Sequence, residues 1–162
     1  MSTKPIGILG GMGPGAGVYF KQLIVEMTPA ACDQEHVSTV LYTNPQIPDR
    51  TEAILQGKTN SFVREISTAL QKLDQFGVAE IFIPCNTSFV GYVAYQSHVN
   101  TPIYHLPQRT TETLRVEGVS SALLLATQGT YESCVYNTSH NAVSVLVPNY
   151  SEQKLIHSLI IA

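Results

Sequence analysis

An α/β fold, with parallel sheets flanked by helices, follows from two features of the sequence. Apolar β-type runs alternate with helical patterns along nearly the whole chain, the order that builds parallel strands joined by crossover helices. Some runs are apolar at consecutive rather than alternate positions, as in SSALLLAT, which marks strands buried on both faces.

In chain order, PIGILG (5–10) is the first expected strand. PGAGVYFKQLIVEMT (14–28) follows as a helix, with Val18, Leu23, Ile24 and Met27 near helical spacing and Pro14 suited to its first turn. VSTVLYT (37–43) is the second strand. NSFVREISTALQKLDQFG (60–77) is an amphipathic helix closed by Gly77. VAEIFIP (78–84) is a strand leading to a helix over 87–98. PIYHL (102–106), RTTETLRVEG (109–118) and SSALLLAT (120–127) read as strand, helix and strand. A helix at 130–140, a strand at AVSVLVP (142–148) and a last helix from 151 complete the pattern. The segment 43–59 between the second strand and the second helix is long and punctuated by proline, and loops of that length are often functional.

A chain of 162 residues with 44% hydrophobic residues can bury a core. No apolar run reaches the roughly 18 residues of a membrane span, and the N-terminal stretch is too short for a signal peptide. A cytoplasmic protein with no membrane partner is expected. Net charge is −3 with no basic cluster, which argues against nucleic acid. Charged residues make up only 13%, against about 25% in ordinary domains. So lean a surface suggests cover by another subunit. The final stretch EQKLIHSLIIA presents an apolar helical face without a cap or polar tail, so the sequence looks interrupted.

Ligands of parallel sheets bind beyond the carboxyl ends of the strands, and four strand ends here carry unusual residues. GGMGPGAG (10–17) fits the pattern G-x-G-x-x-G/A, but the second strand ends in Thr43-Asn44 without the acidic residue that holds a ribose in dinucleotide sites. Its glycines otherwise serve a tight turn, or a helix N-terminus whose N–H groups take a carboxylate. Cys85, in IFIPCNTSF (81–89), ends an apolar run and precedes a helix, where a thiolate is favoured. Asn86, Thr87 and Ser88 add hydrogen-bonding groups beside it. Arg50 ends PQIPDR, a rigid loop, and its guanidinium suits a bidentate grip on a carboxylate. Lys154 lies in the first turn of the last helix, where an acid is the better match to the dipole. Cys32 and Cys134 lack any such setting, the three cysteines suit neither disulfides nor zinc, and the five histidines show no metal-ligand spacing.

Taken together, GILGGMGP, DQEHV, TNPQIPDR, PCNT, LLATQGT and VPNYSEQKLI resemble the cofactor-independent aspartate/glutamate racemase family, nearest its aspartate racemase branch. They span nearly the whole chain in the family's order. The resemblance implies two similar flavodoxin-like domains, here 1–100 and an incomplete 101–162, with the site between them. It implies interconversion of L- and D-aspartate or glutamate without pyridoxal phosphate or any other cofactor, by proton transfer between two cysteines flanking the α-carbon. Cys85 matches the first of the pair. Met12, Gln46, Asn86, Thr87, Ser88 and Thr127 match substrate-binding positions, and Arg50 and Lys154 match the cations that hold the substrate's carboxylates. A homodimer is the family's habit.

Two departures stand out. Phe89 occupies the place where the family usually has histidine. Family members also run further, and the second cysteine, in a GCTE-like motif, has no match here. Two alternatives therefore remain beside the racemase: a catalytically impaired short homologue that binds a small dicarboxylic acid, and a single-cysteine enzyme such as the isomerases and decarboxylases of the same superfamily.

Overall fold

The computed structural model describes residues 4–137 and 143–161. Strand β1 (Ile6–Gly10) lies between β2 (Thr39–Thr43) and β3 (Ile81–Phe82), all parallel, in the order β2-β1-β3. The register sets Ile6 beside Thr39 and Gly7 beside Ile81. Ile8, Leu9 and Ile81 are wholly buried, as apolar runs with no polar face require.

The expected strand at 102–106 contracts to one parallel bridge between Ile103 and Ile81. It is held by Ile81 N–H donating to Pro102 O at 2.9 Å and Tyr104 N–H to Ile81 O at 2.8 Å. A stretch expected to open the second domain thus lies at the edge of the first sheet. It shortens because His105, through Nδ1, accepts from Gln108 N–H at 3.2 Å and starts helix α5 (Leu106–Val116) early, with a proline in the first turn.

Helices α1 (Pro14–Met27) and α3 (Asn60–Gln75) flank the sheet. Phe62, Ile66, Ala69, Leu70 and Leu73 of α3, spaced three and four apart, form the buried stripe that the sequence predicts. Each large side chain so buried contributes about 1.5–3 kcal/mol. Gly77 follows at φ +71°. Helix α1 differs from expectation: Val18 and Met27 are 57% and 78% exposed. It approaches the sheet instead through Gly17, where an added Cβ would come within 3.0 Å of Gly10 Cα. The long 43–59 segment contains the short helix α2 (Arg50–Leu55), whose N-cap Asp49 accepts from Glu52 N–H at 2.7 Å.

After β3, a 3-10 helix (Asn86–Gly91) runs into α4 (Tyr92–Ser97), where one helix over 87–98 is expected. Beyond α5, β4 (Ser121–Leu123) and β5 (Ser144–Leu146) form a second, two-stranded parallel sheet. Helix α6 (Gln128–Ser133) stops at Cys134, which adopts φ +51°. The rest of the helix expected at 130–140 falls partly outside the described residues. Helix α7 (Tyr150–Ile161) carries Leu155, Leu159, Ile160 and Ile161, all more than half exposed. The second half therefore packs less apolar surface than the first. No described helix is long and apolar enough to cross a membrane.

The capping role of His105 has a pH consequence. Burial holds its imidazole below the ordinary value of 6.5, so the folded state binds fewer protons than the unfolded chain. Stability is then present at neutral pH and is lost as pH falls through 6.5. Protonation also removes the Nδ1 acceptor that caps α5, worth about 1 kcal/mol. The thermal midpoint should drop between pH 7.5 and pH 5.5, and His105→Asn, which keeps a capping acceptor, should flatten that drop. Equal slopes in both proteins would show that the cap does not carry the effect.

Candidate active site

Strand ends and helix starts from both halves enclose one cavity of about 590 Å³. The first sheet supplies the turn after β1, through Met12, Gly13 and Ala16, and the end of β3, through Pro84, Cys85, Asn86 and Thr87. The start of α2 adds Asp49, Arg50 and Thr51. Leu125, Ala126, Thr127 and Thr130, with Ile160 and Ile161 from α7, close the far wall.

The turn after β1 is forced by local sterics. Gly11 has φ +111°, and an added Cβ would run into the Asn44 carbonyl, so only glycine passes here without strain. The chain then delivers Met12, 7% exposed, to the cavity floor and opens the N-terminus of α1 onto it. Cys85 is the N-cap residue of the 3-10 helix, is half-buried, and lines the cavity. Cys32 and Cys134 are exposed and do not line it.

Arg50 is half-buried and makes no ion pair among the described residues. One terminal nitrogen (Nη1) donates to Pro48 O at 3.0 Å and Ile47 O at 3.4 Å. Its Nε is buried without a hydrogen-bond partner. The guanidinium is thus steadied by the loop while part of its hydrogen-bonding capacity stays unspent. Buried polar groups are ordinarily paired, and this buried Nε is an exception in a residue that also lines the cavity.

Three hydroxyls join the two halves at the cavity edge. Thr87 Oγ1 lies 2.9 Å from Thr127 Oγ1 and 2.8 Å from Thr130 Oγ1, and the latter two are 3.1 Å apart. Helix α6 comes this close because residue 129 is glycine: a Cβ there would stand 2.8 Å from both Thr51 Cα and Thr87 Cγ2. Tyr136 O–H donates to Asn86 Oδ1 at 2.7 Å. That bond commits the amide oxygen and leaves Nδ2 as the donor end.

The structure thus gathers Met12, Arg50, Cys85, Asn86, Thr87 and Thr127 around one space, and leaves three expected site residues outside it. Ser88 is wholly buried and donates to Cys85 O at 2.7 Å, so it fixes the cysteine's backbone rather than facing the cavity. Gln46 is exposed, its N–H donating to Asn44 Oδ1 at 3.1 Å, and lies off the cavity wall. Lys154 is exposed, with its ammonium 4.5 Å from the centre of the Tyr150 ring. This cation–π contact with a same-helix neighbour takes it away from the cavity. The sequence reading missed Asp49, Thr51, Thr130 and Tyr136. Thr130 lies within ATQGT and was within reach of the same strand-end argument as Thr127. Tyr136 belongs to no motif.

Phe89 is buried and packs against Tyr92 and His105, with ring centres 6.3 and 5.2 Å away. It belongs to an aromatic cluster under the site and offers no titratable atom. Among the described residues no group of three or more potential metal ligands occurs.

A parallel α/β scaffold thus brings a thiol, a guanidinium with no ion pair among the described residues, and three threonine hydroxyls to one cavity. The sequence profile of the Asp/Glu/hydantoin racemase family matches residues 9–161, and the chain belongs to that family. It is 27% identical over 135 residues to the broad specificity amino-acid racemase RacX of Bacillus subtilis, covering 81% of this chain and 58% of that protein. It therefore spans little more than half the length of that relative. The fold matches Picrophilus torridus aspartate racemase with a TM-score of 0.81 and 29% identity, over 98% of this chain and 73% of that one. An aspartate racemase homologue from Pyrococcus horikoshii, 22% identical, matches with a TM-score of 0.78 over 98% and 70% of the two chains.

Proposed function

We propose that the protein is a pyridoxal-phosphate-independent amino-acid racemase acting on aspartate or glutamate, with Cys85 as an acid/base group at the α-carbon. The observation that carries this reading is the shared cavity of Cys85 and Arg50. Arg50 would hold a carboxylate through the guanidinium capacity that the loop leaves unspent, as planar bidentate geometry favours. The Asn86 amide, the Thr87 and Thr127 hydroxyls and the start of α1 would receive the other polar atoms. The Cys85 thiolate would take the α-proton, and charge developing on the α-carboxylate would be met by these fixed donors. Met12 would bound the site on its apolar side. The working unit proposed is a cytoplasmic homodimer requiring no cofactor, of chains whose first unit takes in the stretch around Ile103 that pairs with β3.

A second reading is favoured by one observation. Among the described residues, the far wall is lined only by threonines and aliphatic side chains, and none is an acid or base suited to return a proton to the opposite face. On that reading the chain binds a small dicarboxylic acid and racemises it poorly. Incubation with L-aspartate and with L-glutamate in heavy water, read by NMR for α-deuterium and on a chiral column for the D-isomer, separates the two. Exchange with inversion supports the racemase. Saturable binding without inversion supports the impaired homologue. No binding of either acid refutes both.

Removing the cation should be costly under either reading. Arg50→Leu deletes charge-assisted hydrogen bonds worth about 2 kcal/mol, roughly thirtyfold in affinity. Calorimetric titration with L-aspartate is the check, and an unchanged Kd would remove Arg50 from the proposed carboxylate site.

A further inference from the structure

Tyr136 acts on the cavity from outside its wall. Helix α6 ends at Cys134, whose left-handed backbone (φ +51°) turns the chain, and Asn137 N–H donates to Cys134 O at 2.8 Å to close that turn. Val135 packs against the core of the first half, which anchors the turn there. From it the Tyr136 hydroxyl donates to Asn86 Oδ1 at 2.7 Å, across 50 positions of sequence. Asn86 lines the cavity beside Cys85, whereas Tyr136 does not. The phenol is half-buried. Burial raises its pKa, against a smaller lowering by the Thr110 hydroxyl, so it keeps its proton at neutral pH and remains a donor.

A primary amide has two ends of similar size and opposite chemistry: an oxygen that only accepts and an NH2 that only donates. Turning it over changes what Asn86 asks of a ligand without changing the shape of the wall. The phenol proton decides between the two orientations, because it must meet the oxygen. We infer that Tyr136 is a positioning residue that holds Asn86 with its NH2 end left for the ligand, and so selects carboxylates over the corresponding carboxamides. The Arg50 guanidinium and the backbone N–H groups that open α1 also donate. A ligand group that joins Asn86 to either of them must therefore accept at both of its atoms. A carboxylate does so, whereas a carboxamide accepts at one and brings its own NH2 against a donor. Without the Tyr136 hydroxyl the Asn86 amide is able to turn and accept from that NH2, and the selection weakens.

This inference rests on the reading of the cavity as an acid-binding site, and its test measures binding rather than turnover. The probes are L-aspartate, L-asparagine and L-isoasparagine, the last with its amide on the α-carboxyl. L-Glutamate, L-glutamine and L-isoglutamine replace them if glutamate binds more tightly. Calorimetric Kd values give the preference for the acid over each amide. Tyr136→Phe removes only the hydroxyl and should lower that preference about fivefold for one of the two amides. That amide then marks the carboxylate that Asn86 reads. A merely structural role would weaken acid and amides alike, so unmoved ratios in a folded variant overturn the inference. A parent protein that binds an amide more tightly than the acid overturns it too. Should the variant not fold, the side-chain NH2 signals of Asn86 in the 15N-labelled parent, identified by their loss in Asn86→Asp, give the answer. They should shift downfield as the acid binds, and signals that stay still overturn the inference. A moved ratio in a chain that racemises nothing keeps this role for Tyr136 and discards the racemase; racemisation with unmoved ratios does the reverse. Absence of binding by every probe discards both.

Discussion

Cys85→Ser is expected to reduce α-proton exchange of the preferred acid by about 10²–10⁴-fold, the usual share of a positioned acid/base group. Serine keeps the size of the side chain, and Cys85 is half-buried on a cavity wall rather than locked in the core. The fold and the affinity for the acid should survive. A hydroxyl is far harder to ionise than a thiol, so the loss should fall on kcat and leave KM nearly unchanged. The α-proton NMR signal in heavy water gives the rate, and calorimetry gives the affinity. Exchange persisting at the wild-type rate would show that the proton leaves by another route, and Cys85 would lose its assigned role.

Gly129→Ala should have the second-largest effect, and it acts on architecture. The new methyl would meet backbone on one side and a buried threonine on the other, each 2.8 Å away. Neither is the far end of a flexible chain that swings aside. Overpacking of this kind costs about 1–3 kcal/mol. The relief available is for α6 to back away from α2, which stretches the contacts among Thr87, Thr127 and Thr130. The urea midpoint should fall at unchanged m-value, and affinity for the acid should fall with it. A variant within about 0.5 kcal/mol of wild type, the range of an ordinary surface change, would mean that the helices do not meet as closely as the glycine suggests.

Much of this was legible in the sequence, and for identifiable reasons. The runs Ile6–Gly10 and Thr39–Thr43 are strands of the first sheet, and the α3 stripe from Phe62 to Leu73 is buried as its spacing requires. Strong period, with burial of β1 and of the α3 stripe, leaves little room for context to intervene. The β1 turn and the PCNT stretch meet at one cavity because parallel topology brings strand ends together, a rule that needs no coordinates. What the sequence hid was set by contacts distant along the chain. His105 became a helix cap where a strand residue was expected. Val18 and Met27 have helical spacing, but glycine at position 17 turns a different side of α1 toward the sheet. Ser88 sits beside Cys85 in sequence, yet the 3-10 turn directs its hydroxyl back to the cysteine's own carbonyl. Lys154 has the charge for a site and an aromatic neighbour one turn away that engages it instead.

The narrow second sheet has a bearing on how the cavity behaves in time. Three-residue strands with Leu123 and Leu146 more than half exposed give little cooperative resistance to local opening, whereas β1 is buried along nearly its whole length and α3 buries a full stripe. Amide protons of β4 and β5 should therefore trade with solvent deuterium well before those of β1. The rigid wall bearing the sulfur and the guanidinium would persist while the threonine-bearing wall breathes against it. Capture of a ligand would then be timed by the weaker half of the molecule.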